Sequence, residues 1–163
     1  MFATSHRNDV LIEELASQRR DAMKAFEDIT LIKNEKIAEY FYTKFQVGED
    51  VPFSILENIP IGEALILPVI YGGAIITTKL EDKSSKTARY ETKWTAGSTL
   101  TWHFHSDCTE EIVVTQGVIK VYVQGSVHVL NKNQKLTVAA GIGHQITALK
   151  DSTLDIKFHK IRI

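Results

Sequence analysis

The sequence has little cysteine, little proline and no excess of charge of either sign. Its single cysteine, Cys108, excludes an internal disulfide and a four-cysteine zinc site. Its 163 residues carry 19 lysines and arginines against 20 aspartates and glutamates, which gives a net charge of -1. A nearly neutral chain has no general attraction to nucleic acid or to anionic lipid, so we expect neither as a partner.

Long apolar runs are also missing. The longest apolar stretch, residues 64–76, contains Pro68, Gly72 and Gly73, so it is too short and too interrupted to span a membrane as a helix. The first ten residues lack the basic segment and apolar core of a signal peptide. We therefore expect a cytoplasmic protein with no membrane partner, of a size typical of one folded domain.

The hydrophobic pattern divides the chain into two parts. Residues 8–46 have apolar side chains at three- and four-residue spacing, which predicts helix. Residues 47–61 hold two of the three prolines and predict an irregular connector. The short apolar or alternating runs that follow predict strands. The predicted organisation is a helical lead and connector at 1–61, packed on a β-domain at 62–163.

The β-domain is predicted to consist of many short strands without helices between them, a pattern typical of a sandwich or barrel. Gly117 and Gly125 predict tight turns, because glycine adopts a positive φ without steric cost. The alternation slips by one residue near His159, which predicts a bulge. The predicted strands are 62–70, 73–80, 86–95, 97–105, 110–116, 118–124, 126–131, 134–140, 144–149 and 153–163.

The predicted helices do not have the charge of a DNA-binding segment. Residues 1–46 contain seven basic and eight acidic side chains, and the two signs are interspersed. This is a solvated amphipathic surface and not a phosphate-binding face. We expect these helices to pack against the outside of the barrel or against a second subunit.

One segment, residues 97–117, has the residue types of a metal site. His103 and His105 are two residues apart, so on a strand they share a face and can converge on one ion. Glu110 opens the next predicted strand and supplies a carboxylate. Simple alternation assigns Leu100, Trp102 and Phe104 to the face opposite the two histidines.

A third histidine, His144, lies on a different predicted strand that a barrel could bring to the same pocket. Three imidazoles and one carboxylate suit Fe(II), Mn(II), Ni(II), Cu(II) or Zn(II). This set leaves one or two coordination positions open, which distinguishes a catalytic site from a closed structural one.

The spacing of these residues resembles the first motif of the cupin family. Gly97, His103, His105, Glu110 and Gly117 match that motif without a departure. A chance match of this length is rare, roughly one in ten thousand from the composition of the chain.

The second motif of the family is matched in part. Gly141 and His144 stand at family positions, and the resemblance covers roughly residues 73–160. The sequence departs from this motif at three positions, with Asn133, Ala139 and Ala148 in place of glycine, proline and asparagine. These departures affect turn geometry and a supporting hydrogen bond, and none replaces a metal ligand.

The resemblance implies an all-β fold, the double-stranded β-helix or jelly-roll barrel, here preceded by the α-helical N-terminal segment. It implies a divalent transition metal held by His103, His105, Glu110 and His144. In that family such sites perform oxygen-dependent bond cleavage, decarboxylation, isomerisation, epimerisation or lyase chemistry, and some members only bind small ligands. Because cupins commonly pair through their sheets, the resemblance also implies a homodimer.

Several other residues are weaker candidates. Glu111 is the rival of Glu110 as a ligand, but alternation sends it to the opposite face. Cys108 could be an extra ligand or a reactive thiol, although a packed residue is the commoner role. His128, between two valines, is predicted to face outward. Candidate pocket aromatics are Trp94, Trp102, Tyr90, Tyr122 and Phe158, and candidate contacts to an anionic substrate are Gln116, Lys93 and Arg89.

Two functional hypotheses follow. The first is an enzyme in which the metal binds a small oxygenated substrate, such as a carboxylate or an enediol-like molecule, and in which Glu110 serves as a base if it dissociates from the ion. The alternative is a non-catalytic protein that binds or senses a small ligand through the metal.

Overall fold

The computed structural model describes residues 30–31, 48–67 and 76–161, and for 30–31 and 65–67 it describes the backbone alone. These residues form short strands and one short helix, α1 (Phe53–Leu56). The strands are β1 (Thr30–Leu31), β2 (Glu49–Asp50), β3 (Glu63–Leu67), β4 (Ile76–Lys83), β5 (Thr87–Trp94), β6 (Thr99–Phe104), β7 (Cys108–Gln116), β8 (Ile119–Val123), β9 (Ser126–Leu130), β10 (Lys135–Val138), β11 (His144–Ala148) and β12 (Ser152–Lys160).

The strands form two sheets. One has seven strands in the order β1-β3-β4-β5-β12-β7-β10, and the other has five in the order β2-β6-β11-β8-β9. Most neighbours are antiparallel, and the short strands β1 and β2 add in parallel to β3 and β6. Inward side chains of both sheets belong to one core cluster, so the sheets pack face to face. The predicted all-β class is confirmed.

Period-two alternation explains the core. On β12 the buried residues are Ser152, Leu154, Ile156 and Phe158, while the residues between them are partly exposed. Such alternation places one face of each strand in the interior and leaves the other to solvent.

Helix α1 covers one end of this interior. Its Phe53, Ile55 and Leu56 are buried, and the hydroxyl of Tyr90 donates a hydrogen bond to the carbonyl of Leu56. The backbone N–H of Phe53 donates to Asp107 Oδ1 at 2.8 Å, which ties the helix to the loop before β7. Among the described residues, no helix has the length and apolar character needed to cross a membrane.

The two predicted glycine turns are confirmed. Gly117, between β7 and β8, has φ 90°, and Gly125, between β8 and β9, has φ 83°. Gly117 is doubly constrained, because a Cβ there would also collide with Ser152.

Two sequence predictions are corrected here. The helix predicted over 8–46 is wrong at Thr30–Leu31, which pairs with β3 as strand β1; the rest of that segment lies outside the described residues. The bulge predicted at His159 is absent, because His159 pairs in register with both Thr87 and Thr109. The alternation slips there because the strand ends, and the residues at its end are exposed. The irregularity of β12 lies instead between Thr153 and Leu154.

Candidate metal centre

The four predicted ligands lie together inside the barrel. His103 is on β6, His105 follows that strand, Glu110 is on β7 and His144 begins β11. All four are buried, and their ligand atoms lie within 4.8 Å of one another. We call these four residues the His–Glu cluster.

Strand pairing explains how two distant histidines meet. His144 pairs directly with His103 across β11 and β6, and their ring centroids are 4.4 Å apart. His105 follows two residues later on the same inner face, with its ring centroid 5.3 Å from that of His144. The carboxylate of Glu110 reaches the same point from the opposite sheet.

A β-bulge on β6 changes which residues share this face. Leu100 pairs with Ile146 and His103 pairs with His144, so two residues of β6 stand opposite Gln145 alone. Leu100 is therefore buried on the same side as His103, although the two residues are three positions apart. The prediction that Leu100 takes the opposite face is wrong, because simple alternation does not allow for the extra residue.

Each imidazole of the cluster is oriented through its Nδ1 atom. The Nδ1 of His103 lies 2.7 Å from the carbonyl of Thr101, and that of His105 lies 2.7 Å from the carbonyl of Val51. The Nδ1 of His144 lies 3.1 Å from the carbonyl of Ile142. A carbonyl only accepts, so each Nδ1 must carry the proton. The Nε2 atoms are thereby directed into the cluster, the arrangement that fixes a histidine for metal binding.

Oxygen Oε2 of Glu110 lies 3.0 Å from Nε2 of His105 and 3.0 Å from Nε2 of His144. The contact with His144 has the geometry of a hydrogen bond. Nε2 of His105 is buried and has no hydrogen-bond partner among the described residues despite this short contact. Two imidazole nitrogens 3.0 Å from one buried carboxylate oxygen form an arrangement that a shared cation, a proton or a metal ion, stabilises.

The donor set fits a divalent transition metal. Ions bound at about 2.1 Å hold neighbouring ligand atoms roughly 3 Å apart, which is the separation of Glu110 Oε2 from two of the imidazoles. Nitrogen and carboxylate donors suit several first-row ions, so the donors do not single out one metal.

The electrostatics of the cluster follow from burial and mutual charge. Burial holds the pKa of His103 well below its usual value, and the neighbouring histidines lower it further. Burial alone would raise the pKa of Glu110, but the charges and close contacts of His144 and His105 outweigh it and hold that pKa well below the usual range. For His144, burial is outweighed by Glu110, which raises the pKa.

Other candidates from the sequence fall into different places. Glu111 is on the outward side of β7, as predicted. Cys108 is buried; its burial, followed by the charges of Asp107, Glu110 and Asp50, raises its pKa to about 12, so it is not a reactive thiol.

The prediction for His128 is wrong. The flanking Val127 and Val129 are the exposed residues, at 52% and 51%, while His128 is partly buried. It pairs with the fully buried Val121 and therefore takes the inner side of β9.

The His–Glu cluster opens into a narrow cavity. Three of the predicted aromatics, Tyr90, Trp94 and Phe158, line it, and the phenyl ring of Phe158 lies 4.8 Å from the ring of His105. Sequence reasoning missed its other walls, which are Leu56, Thr78, Thr92, Leu100, Ile146 and Ile156. Period-two alternation on β4, β5 and β12 was the one signal that could have indicated several of them.

The predicted contacts to an anionic substrate do not line this cavity. Arg89 forms an ion pair with Asp155 at 3.5 Å, and Lys93 forms one with Glu91 at 3.7 Å. Arg89 and Lys93 lie on the outward side of β5, opposite its buried residues. Gln116, at the end of β7, is exposed.

No protein-family model and no curated protein matches the sequence. Solved structures do match. KdgF from Halomonas sp. is 23% identical with a TM-score of 0.51, and the match covers 53% of this chain and 80% of that chain. A predicted oxalate decarboxylase from Thermotoga maritima is 14% identical with a TM-score of 0.51, covering 55% and 85%.

An RmlC-like cupin protein from Desulfovibrio desulfuricans also matches, at 20% identity and a TM-score of 0.48, with 52% of this chain and 81% of that chain covered. At such identities a likeness concerns the fold and not the activity.

Proposed function

The chain has the cupin fold, and from this premise we propose that it is a metal-dependent enzyme acting on a small organic molecule at the His–Glu cluster. One observation carries the proposal. Three imidazoles donate through Nδ1 to backbone carbonyls, and the Nε2 atoms of His105 and His144 lie 3.0 Å from one buried carboxylate in the same cluster as His103. Such an arrangement is stabilised by a cation, and a divalent metal supplies it.

We propose that His103, His105, Glu110 and His144 hold this ion. Such an ion would supply Lewis acidity, or dioxygen activation if it is iron. The chain's own contribution is to orient the imidazoles through the three carbonyls and to surround the site with apolar side chains that exclude water.

Glu110 is also the candidate base, since it is the one carboxylate among the described residues that line the cavity. Its lowered pKa makes it a weak base, so its role as a ligand has the stronger support.

Metal analysis of protein purified without a histidine tag tests the proposal. We expect close to one equivalent of a transition metal, and its loss in the double variant His103→Ala with His105→Ala. The matched control is His128→Ala with His159→Ala, which removes two histidines outside the cluster and should keep the metal. Less than about 0.2 equivalents in the unmodified protein, unchanged by the cluster variant, would count against the metal site.

Turnover separates an enzyme from a binding protein. The metal-loaded protein is incubated with a panel of small oxygenated molecules, and consumption of substrate and of oxygen is followed. Conversion that is lost in the His103→Ala, His105→Ala variant supports catalysis. Tight retention of a compound without chemical change supports the alternative, a ligand-binding or sensing protein.

We also propose a homodimer paired through the sheets, on the strength of the resemblance. The exposed Val127 and Val129 on β9, an edge of the five-stranded sheet, are consistent with a covered surface. Light scattering tests the proposal, which predicts twice the mass of the 18.4 kDa chain.

A further inference from the structure

The cavity beyond the His–Glu cluster is almost wholly apolar. Its walls include Trp94, Leu100, Ile146, Ile156 and Phe158. The hydroxyl of Tyr90 is engaged with the carbonyl of Leu56, and burial raises its pKa, so the phenol stays neutral. A ligand in this space exchanges water for hydrocarbon and aromatic surface, which favours an apolar body.

Charged side chains are absent from the described walls apart from Glu110 and the histidines beside it. The nearest strands carry their basic residues outward: Lys79 pairs with Glu81, and Arg89 pairs with Asp155. A charged tail on a ligand would therefore lose its hydration without gaining a partner, which is costly in an apolar interior. This argues against the anionic substrate expected from the sequence, except for a group bound by the metal itself.

Thr78 is the exception in the apolar wall. Its side chain is buried and lines the cavity, and its hydroxyl has no hydrogen-bond partner among the described residues. Thr92 stands directly opposite it on β5, where its hydroxyl accepts the indole N–H of Trp94 at 2.8 Å. Buried hydroxyls are rarely left unpaired, so Thr78 marks a place where a ligand can complete a hydrogen bond.

These threonines lie away from the metal end of the cavity. In the seven-stranded sheet, β12 separates β5 from the strand of Glu110, and β12 and β5 together separate β4 from it. Thr92 pairs with Leu154 of β12, and Glu110 pairs with Phe158 of β12. The threonine and the glutamate therefore lie at levels four residues apart along β12. A ligand that touches both ends has its polar groups at its two extremities.

We propose that the cavity takes a small, uncharged, largely apolar ligand with one oxygen group for the metal and a second one for the hydroxyl of Thr78. This inference rests on the proposed function, because it needs the metal to bind the first group. Thr78 is then the residue that selects and orients the distal end of the ligand.

Hydroxamic acids test this inference, because the hydroxamate binds first-row metals and the tail can be varied. Tails of three to six carbons end in methyl, hydroxyl or carboxylate, and calorimetry of metal-loaded protein gives each Kd. At the best length we expect the hydroxyl tail to bind about fivefold tighter than the methyl tail, from one added hydrogen bond. We expect the carboxylate tail to bind at least about tenfold weaker than the methyl tail.

Variants assign the preference to one hydroxyl. In Thr78→Val, which keeps the shape and removes the hydroxyl, the hydroxyl tail should bind more weakly than the methyl tail. Thr77→Val is the matched control, because Thr77 is also buried on β4 with no hydrogen-bond partner among the described residues, but it does not line the cavity. This variant should keep the preference. Thr78→Ser should keep it as well, and thermal unfolding verifies that each variant folds.

Each failure has its own signature. If the protein carries metal but its hydroxyl preference survives in Thr78→Val, or is lost in Thr77→Val, the inference is overturned while the metal site stands. The same holds if the carboxylate tail binds as tightly as the methyl tail, or if no hydroxamate binds to metal-loaded protein. Absence of metal overturns the proposed function itself, and this inference with it.

Discussion

The two sheets contribute differently to the interior. The five-stranded sheet and the loop after β6 supply the three histidines, whereas the seven-stranded sheet supplies Glu110 and most of the apolar wall. Neither sheet alone has the full donor set, so an ion bound by all four residues would connect the two layers of the fold. Such an ion would couple metal affinity to the packing of the two sheets.

The largest expected effect is the loss of stability on metal removal. At a free metal concentration about a thousandfold above its Kd, the ion contributes about 4 kcal/mol, which corresponds to a fall of about 10 °C in Tm on chelation. Calorimetric unfolding with and without a chelator measures this shift. The His103→Ala, His105→Ala variant should show no response to chelator, and an equal response in both proteins would refute a link between the sheets.

The next effect concerns the bulge on β6, which places Leu100 against the seven-stranded sheet. Leu100→Ala should lower the free energy of unfolding by about 3 kcal/mol, because it leaves a cavity beside the cluster. Leu149→Ala removes an exposed leucine and should change the free energy of unfolding by less than about 0.5 kcal/mol. Urea unfolding measures both, and equal small losses would mean that Leu100 faces outward.

The contribution of the seven-stranded sheet to the metal rests on Glu110. Glu110→Gln should weaken metal binding by at least about a hundredfold, or about 2.7 kcal/mol, because losing a metal ligand lowers the affinity more than losing an outer-shell contact does. Glu111→Gln changes the same charge on the outward side of β7 and should leave affinity unchanged. Competition with a chromophoric chelator gives both values. Equal metal affinities in the two variants would show that the three histidines bind the ion without a contribution from Glu110.

The smallest effect concerns Cys108, beside Glu110 in the sheet. Its pKa is raised to about 12, so the folded protein keeps the thiol proton that the unfolded chain releases near pH 8.5. The contribution of Cys108 to the free energy of unfolding is therefore fully present below pH 8.5. Above that pH it declines, by up to about 1.4 kcal/mol per pH unit. Urea midpoints between pH 8 and 9.5 measure the slope, and Cys108→Ala should flatten it. A slope that is the same in both proteins would contradict the burial of the thiol.

Much of the site could be predicted because it depends on local rules. The spacing of His103 and His105 puts both on one face, and alternation on β7 separates Glu110 from Glu111. The motif that these residues share with cupins then predicts the barrel that brings His144 to them. The likeness to solved structures confirms that fold.

What the sequence could not reveal depends on pairing between distant strands. The bulge that turns Leu100 inward is defined by its register with β11, and no glycine or proline stands at residues 101 or 102 to signal it. The orientation of His128 is set by its pairing with β8, where Val121 is buried. The unpaired hydroxyl of Thr78 becomes visible only when the walls around it are known.

The hydrogen bond between His105 Nδ1 and the carbonyl of Val51 has a consequence for dividing the chain. The two residues are 54 positions apart, whereas the other two imidazoles bind carbonyls only two positions away. A shortened protein starting at the predicted boundary, residue 62, would retain every proposed ligand yet lose the acceptor that fixes one ring. The shortest segment that keeps all three imidazoles oriented for metal binding therefore includes Val51, which lies well before the cupin-like motif at 97–117.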